Sequence, residues 1–201
     1  MIFLLEGLLI NLRKLEVEDI STLASWLASD AYTRNFVSQS GLARSVYIQQ
    51  AEKMLQDNAD DRISNKFFLC EDRFSNRPLG LAIISKIDWK NRHAECAYII
   101  GDSDYRGKLV GGDLAVTLYH YCFNNLNLHK VYGFVIDSNS ASIRLNEFGG
   151  SYDGTLYNHR FSSGEYASDV RVYSITRKEF SHFVQTYAKT LLRRHIAKGL
   201  L

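Results

Sequence analysis

The segment from Arg106 to Gly112 has the composition of a phosphate-binding turn. It separates an apolar, strand-like run that ends at Ile100 from a helical apolar repeat that begins at Leu114. Backbone N–H groups at the start of a helix attract phosphate, and glycine lets a backbone approach a ligand closely. Arg106 and Lys108 add positive charge beside that backbone. The segment therefore suits a phosphorylated cofactor, although a glycine-rich turn between a strand and a helix is more often only a turn.

Glu95 is an acidic residue within an otherwise apolar run from Ala94 to Ile100. Side chains alternate along a strand, so Glu95 shares one face with Ala97 and Ile99. A carboxylate in this position is either a surface group on a half-exposed strand or a group that contacts a ligand. The residues alone favour the surface interpretation, because charged side chains are mostly exposed.

Apolar periodicity predicts the elements that position these side chains. Spacings of three and four residues predict helices over 20–27, 47–55, 114–126 and 140–148, and a terminal helix after a capping box at Thr176 and Glu179. Apolar runs predict strands over 1–10, 67–70, 79–89, 94–100, 130–137, 150–161 and 166–176. A polar stretch, 31–43, is free to shape a pocket. The order indicates one α+β unit with an antiparallel meander and one strand-helix-strand crossover.

Composition argues against several classes of function. The chain has 201 residues, 46% hydrophobic and 23% charged, with a single proline and no linker, which predicts one domain. A net charge of +2 predicts neither a nucleic-acid nor a membrane partner. Three cysteines without a paired motif predict reduced thiols in a cytoplasmic protein, and six scattered histidines predict no metal. The apolar start carries Glu6 and is too short to cross a bilayer.

Several ordered motifs resemble one family. The stretch from Arg106 to Gly112 looks like the acetyl-CoA pyrophosphate loop of the GNAT superfamily of N-acetyltransferases, whose pattern is Arg/Gln-x-x-Gly-x-Gly/Ala. Arg106 and Gly111 match, and Leu109 replaces the middle glycine. Segments 87–95, 126–131 and 139–145 resemble the ribosomal-protein, polyamine and amino-sugar branch of that superfamily. With the ending at 154–175, the resemblance covers roughly residues 8–178.

The resemblance implies a fold. The GNAT fold is a mixed, mostly antiparallel sheet with flanking helices, splayed open between its fourth and fifth strands. Those strands are here 94–100 and 130–137. The implied acetyltransferase domain is 1–178, and 179–201 is a C-terminal amphipathic helix that extends the same domain. The apolar face of that helix is compatible with packing against a second copy of the chain, so a homo-oligomer is one of the alternatives that the sequence leaves open.

The resemblance also implies a cofactor site for acetyl-CoA. Main-chain groups of Tyr98, Ile99 and Ile100 are expected to pair with the pantetheine arm, and Asn139 is expected to contact the cofactor. The pyrophosphate is expected beside Arg106, on N–H groups of Gly107, Lys108, Leu109, Val110, Gly111 and Gly112.

The implied reaction transfers the acetyl group of acetyl-CoA directly to an amine in a ternary complex. An alkylamine with a pKa of about 10 is protonated at neutral pH, so a base must remove its proton. The resemblance makes Glu95 a candidate base, or equally a binder of the acceptor's charge. An N–H group of Tyr98 or Ile99 is expected to stabilise the oxyanion.

Asn146 stands where the family has a tyrosine that protonates the leaving thiolate. A thiolate leaves with little help, so the substitution predicts slower turnover. The alternative is a catalytically weakened member that binds CoA as a sensor or scaffold. The acceptor also stays open among a protein N-terminus, a polyamine and an amino sugar, with 87–95 leaning slightly towards the amino sugar.

Overall fold

Eight strands form one mixed sheet, in the order β1-β2-β3-β4-β5-β6-β8-β7. The computed structural model describes residues 4–30, 32, 41–59, 65–106, 108–161 and 167–197. The strands are β1 (Leu4–Glu6), β2 (Ile10–Lys14), β3 (Lys66–Asp72), β4 (Pro78–Asp88), β5 (His93–Ile100), β6 (Lys130–Ile136), β7 (Ser151–Phe161) and β8 (Ala167–Thr176). Neighbouring strands are antiparallel except β5 and β6, which are parallel. The mixed, mostly antiparallel sheet expected from the sequence is confirmed.

Five α-helices flank this sheet within the described ranges. They are α1 (Ile20–Leu27), α2 (Arg44–Ala59), α3 (Val110–His120), α4 (Ser140–Glu147) and α5 (Arg177–Ala197). One buried cluster joins α3 and α5 to one face of the sheet, and a second joins α1 and α2 to the other face. None of these helices combines the length and apolar composition needed to cross a lipid bilayer.

The start of the chain differs from the single strand expected over 1–10. It forms a hairpin instead, in which β1 and β2 pair around a turn closed by a 2.8 Å bond from the Gly7 N–H group to the Ile10 carbonyl. The turn lies so close to α3 that a Cβ atom on Gly7 would be 2.6 Å from the Thr117 hydroxyl. The reversal therefore depends on a tertiary contact with α3.

The predicted capping box is present at the start of α5. A carboxylate oxygen of Glu179 accepts hydrogen bonds from the N–H group of Thr176, at 2.8 Å, and from its hydroxyl, at 2.7 Å. The Glu179 N–H group in turn donates to the Thr176 hydroxyl at 3.3 Å. This box confirms the start of the terminal helix. Most of the loop expected over 31–43 and the turn expected at 162–165 lie outside the described residues.

The parallel pairing of β5 and β6 is short, and this shapes the site. Three pairs join the strands, His93 with Lys130, Ala94 with Val131, and Glu95 with Tyr132. Beyond Glu95, β5 continues to Ile100 without a further pair to β6 among the residues that the structure describes. The two strands therefore diverge and leave a V-shaped gap in the sheet, as the resemblance implies.

A buried carboxylate fixes α3 against the N-terminal hairpin. Asp113, which is 1% exposed, accepts backbone N–H bonds from Leu8 at 3.1 Å, Leu9 at 2.7 Å and Ile10 at 3.1 Å. A buried carboxylate is stable only when hydrogen bonds replace its lost hydration. These three bonds hold the first turn of α3 at a set position relative to β2.

We expect Asp113→Ala to lower the free energy of unfolding by roughly 3 kcal/mol or more, because three backbone donors lose a charged acceptor. Urea denaturation followed by circular dichroism measures this change. Asp104→Ala is the matched control, since Asp104 is 68% exposed and its ion pair with Arg77 is solvated; we expect a change within about 0.5 kcal/mol. Equal losses in the two variants would contradict the anchoring role of Asp113.

Candidate active site

A cavity of about 410 Å³ lies between the N-terminus of α3, helix α4 and the C-terminal helix α5. Tyr98 and Ile100 of β5 form the inner wall of this cavity. The gap between β5 and β6 therefore opens into the cavity on this face of the sheet. The other lining residues are Tyr105, Lys108, Leu109, Gly111, Gly112, Ala141, Ser142, Arg144, Leu145, Phe148, Tyr187 and Thr190. The cavity therefore combines a helix N-terminus with a mainly apolar interior.

The N-terminus of α3 is the feature of this cavity whose chemistry suits an anion. The first N–H groups of a helix have no hydrogen-bond acceptor within the helix. In α3 these include the N–H groups of Val110 and Gly111, which can therefore bind a ligand. A Cβ atom on Gly111 would be 3.7 Å from Leu145 of α4, which places this glycine at the cavity wall. The Lys108 ammonium lies 4.6 Å from the centre of the Tyr105 ring, and Arg144 adds a second positive charge.

Two side chains hold the loop that leads into α3. The Arg106 guanidinium donates to the carbonyl of Ile100 at 3.1 Å and to that of Gly101 at 3.0 Å. The Tyr187 hydroxyl of α5 donates to the carbonyl of Leu109 at 3.1 Å. The loop is thus tied to the end of β5 on one side and to α5 on the other.

A second, much smaller cavity of about 20 Å³ joins the first, since Tyr98 and Leu145 line both. Asn146 lines this small cavity together with Tyr119 and Tyr173. The Asn146 amide donates a 2.9 Å hydrogen bond to the Ser142 carbonyl, which orients the side chain within α4. The space is about the size of one water molecule.

Tyr98 and Tyr119 form a hydrogen-bonded pair beside Asn146. Burial raises the pKa of both phenols, and for Tyr98 the hydrogen bond from Tyr119 partly offsets that rise. A phenol with a raised pKa stays protonated at neutral pH. The Tyr119 hydroxyl donates to Tyr98, so the Tyr98 hydroxyl is the one that can donate a hydrogen bond to a group in the gap.

Glu95 lies on the opposite face of the sheet, at the last paired position before β5 and β6 separate. Its side chain is 20% exposed, and its carboxylate lies 2.8 Å from the ammonium of Lys86. The hydrogen bond to the Glu95 carboxylate, together with the negative charge of that carboxylate, raises the pKa of Lys86. His93 also belongs to this region, with its ring 5.7 Å from that of Tyr132. The gap therefore has a cationic cavity on one face and a carboxylate on the other.

Some of the residues expected to bind the cofactor line the large cavity, and others do not. Six of them line the large cavity, namely Tyr98, Ile100, Lys108, Leu109, Gly111 and Gly112. Three do not line it: Arg106 bonds to main-chain carbonyls, Val110 is buried against the core, and Ile99 is buried on the α1–α2 face. Gly107 lies outside the described residues.

Asn139 has a structural contact in addition to the expected cofactor contact. It is the N-cap of α4, and its side-chain oxygen accepts a 3.1 Å hydrogen bond from the Ser142 N–H group. Asparagine is a favoured N-cap because this bond satisfies a donor that the helix leaves unpaired. Contact with a cofactor stays a prediction for this residue.

Sequence reasoning missed the residues that α5 and α4 add to the two cavities. Phe183, Tyr187 and Thr190 come from the helix expected to be only an extension, and Arg144 comes from α4. The apolar stripe on α5 signalled burial but not the surface that it covers. No local pattern pairs residues that lie about 80 positions apart, as Tyr187 and Leu109 do.

Among the described residues, no group of three or more histidine, cysteine, aspartate or glutamate side chains is arranged to hold a metal ion. Cys70, Cys96 and Cys122 are buried free thiols. The absence of a metal from the protein's activity stays a prediction.

The comparisons with known proteins agree with this geometry. A family model described as an acetyltransferase (GNAT) domain matches residues 10–150. A spermidine N(1)-acetyltransferase of Vibrio cholerae is 32% identical over 127 residues, which is 63% of this chain and 69% of that protein. The chain therefore belongs to the GNAT acetyltransferase family.

Solved structures share the fold. The spermidine N-acetyltransferase from Vibrio cholerae, crystallised in complex with CoA and spermine, superposes with a TM-score of 0.74 at 24% identity, covering 85% of this chain and 97% of that one. The ribosomal L7/L12 alpha-N-protein acetyltransferase RimL has a TM-score of 0.74 at 14% identity, covering 88% of this chain and 95% of that one. The splayed α+β sheet is thus a GNAT fold.

Two adjacent glycines of α3 predict opposite results for the same substitution. A Cβ atom on Gly112 would be 2.5 Å from the Tyr187 ring, whereas one on Gly111 would be at an ordinary distance of 3.7 Å from Leu145. We expect Gly112→Ala to lower the free energy of unfolding by about 1–3 kcal/mol through overpacking. Gly111→Ala is the control, with no loss expected. Equal effects in thermal unfolding would contradict the packing of α5 on α3.

Proposed function

We propose that this chain is an acetyl-CoA-dependent N-acetyltransferase whose acceptor is a polyamine. The observation that carries the proposal is the gap between β5 and β6, with a cationic cavity on one face and the Glu95 carboxylate on the other. Acetyl-CoA is a phosphorylated anion and a polyamine is a multiple cation. Each reactant thus has a face of matching charge, and the gap is where the two can meet.

The large cavity suits the phosphates and the pantetheine arm of acetyl-CoA. Phosphate groups fit the N-terminus of α3 beside Lys108 and Arg144, since N–H groups and cations bind phosphate oxygens. The apolar interior beyond them, which includes Leu109, Leu145 and Phe148, suits an aliphatic arm. The unpaired edge of β5 from Ala97 to Ile100 offers main-chain groups to the amides of that arm.

The other face suits an ammonium acceptor. A carboxylate and exposed aromatic rings are the groups that bind alkylammonium ions. Glu95 supplies the carboxylate, and Tyr132 and Phe134 of β6 supply rings beside it. The similarity to a spermidine N(1)-acetyltransferase supports a polyamine over the two other acceptors.

In the proposed reaction, Glu95 or a water that it orders takes a proton from the ammonium, and the free amine attacks the thioester carbon. A C–N bond forms, the C–S bond breaks, and the thiolate of CoA leaves and takes up a proton. An N–H group of Tyr98 or Ile99 stabilises the oxyanion. Asn146 hydrogen-bonds the sulfur but is not itself an acid, whereas the neutral phenols of Tyr98 and Tyr119 lie beside it.

Filling the cofactor cavity tests the first half of the proposal. We expect Gly111→Trp to abolish the binding of acetyl-CoA in calorimetric titration, because the indole would occupy the space between α3 and α4. Gly111→Ala, which fits beside Leu145, should bind as the wild type does. Unchanged binding by Gly111→Trp would place the cofactor elsewhere.

Release of free thiol with spermidine and with pooled other amines then tests catalysis. Thiol release with spermidine supports the acetyltransferase. Binding of acetyl-CoA without thiol release over the whole panel would instead support the catalytically weakened sensor, and failure to bind acetyl-CoA would refute both.

We expect Glu95→Gln to lower kcat/KM for spermidine by about 10²–10⁴-fold, because the amide can neither take a proton nor balance an ammonium charge. The Kd for acetyl-CoA should not change, since Glu95 lies on the opposite face. Glu52→Gln, on the exposed side of α2, is the matched control. A loss of less than threefold would remove Glu95 from the reaction.

A further inference from the structure

Lys86 is placed by an irregularity in β4. Ser85 pairs with Glu95 and Asp88 pairs with His93, so Lys86 and Ile87 together lie opposite the single residue Ala94. This is a β-bulge, in which one strand has an extra residue. Lys86 adopts a left-handed φ of 51°, which is uncommon for a residue other than glycine, asparagine or aspartate.

The bulge directs the Lys86 side chain to the face that carries Glu95. Residues directly opposite one another in an antiparallel pair share a face, so Ser85 lies on the face of Glu95. Without the bulge Lys86 would pair with Ala94, whose side chain is buried in the cluster beneath α3. Instead Ile87 fills that core, and Lys86 reaches across to Glu95. Bulges next to active sites often re-aim a side chain in this way.

The Lys86 ammonium has the environment that an acceptor ammonium would need. Its nitrogen lies 2.8 Å from a carboxylate oxygen of Glu95 and 5.7 Å from the centre of the Phe134 ring. The Lys86 side chain is 68% exposed, so solvent and its long stem leave it free to move away. A carboxylate and an aromatic face together form an alkylammonium site.

We propose that Lys86 is a built-in competitor for the acceptor amine, whose ammonium occupies the Glu95 site until a polycationic substrate displaces it. The inference rests on the proposed function and names what regulates entry to that site. An amine that enters the Glu95 site must first displace the Lys86 ammonium from the same carboxylate. Lys86 therefore raises the KM for every amine that uses this site.

The test compares steady-state kinetics of wild type, Lys86→Met and Lys86→Arg with spermidine at saturating acetyl-CoA. Methionine keeps an unbranched apolar side chain over Phe134 and removes the charge. We expect Lys86→Met to lower the KM for spermidine by about twofold to fivefold, in the range set by an exposed ion pair, with kcat little changed. Lys86→Arg, which keeps the charge, should behave as the wild type does.

Two controls isolate the pair. Lys90→Met removes a positive charge from the exposed turn just after β4 and should leave the KM unchanged. In a Glu95→Gln background, Lys86→Met should no longer lower the KM, because the site has lost its carboxylate. An unchanged KM in Lys86→Met, an equal fall in Lys90→Met, or a fall that persists without Glu95 would each overturn the proposal.

A binding measurement separates this inference from the proposed function. If the wild type releases no thiol with any amine, the proposed function fails. Calorimetric titration of spermidine into the CoA-loaded protein still tests the competition by Lys86, because it needs no turnover. Tighter binding of spermidine by Lys86→Met than by wild type supports the competitor. An equal Kd for the two proteins overturns it.

Discussion

The separation of β5 from β6 is the constraint on which the rest of the site depends. The strands pair through Glu95 and Tyr132, and the next residue of β6 is Gly133, where a Cβ atom would lie 2.9 Å from the carbonyl oxygen of Cys96. β5 and β6 approach each other closely at Gly133 and diverge beyond it, so the gap between them is closed at this end. Main-chain groups of β5, which a continuous sheet would pair, become available for a ligand. Both faces of the site are built around this opening.

The helix that faces the gap is held from two directions. Asp113 ties the first turn of α3 to the N-terminal hairpin, and Tyr187 ties the residue before that turn to α5. Positioning contributes much of the rate of a bimolecular transfer, so a helix N-terminus that binds phosphate is useful only if it cannot shift. The hairpin and α5 therefore determine where the large cavity lies relative to the gap.

Charge divides the two faces of the gap. Lys108 and Arg144 line the side that suits an anionic cofactor, whereas Glu95 lies on the side that suits a cationic acceptor. The overall charge of +2 conceals this division, because opposite charges at separate places cancel in the sum. The Lys86 ammonium lies 2.8 Å from the Glu95 carboxylate, so the charge of Glu95 is balanced within the chain itself.

The sequence by itself determined the order and type of most elements, the turn at 106–112 between a strand and a helix, and the position of Glu95 within its strand, because periodicity and residue chemistry are local properties. Only the tertiary structure decided that the opening segment reverses at Gly7, that α5 supplies Tyr187 and Thr190 to the cavity, and that Lys86 turns towards Glu95. These features depend on contacts between distant segments and on a one-residue bulge. Neither leaves a local pattern, because the partner that stabilises each one is brought near only by the folded sheet.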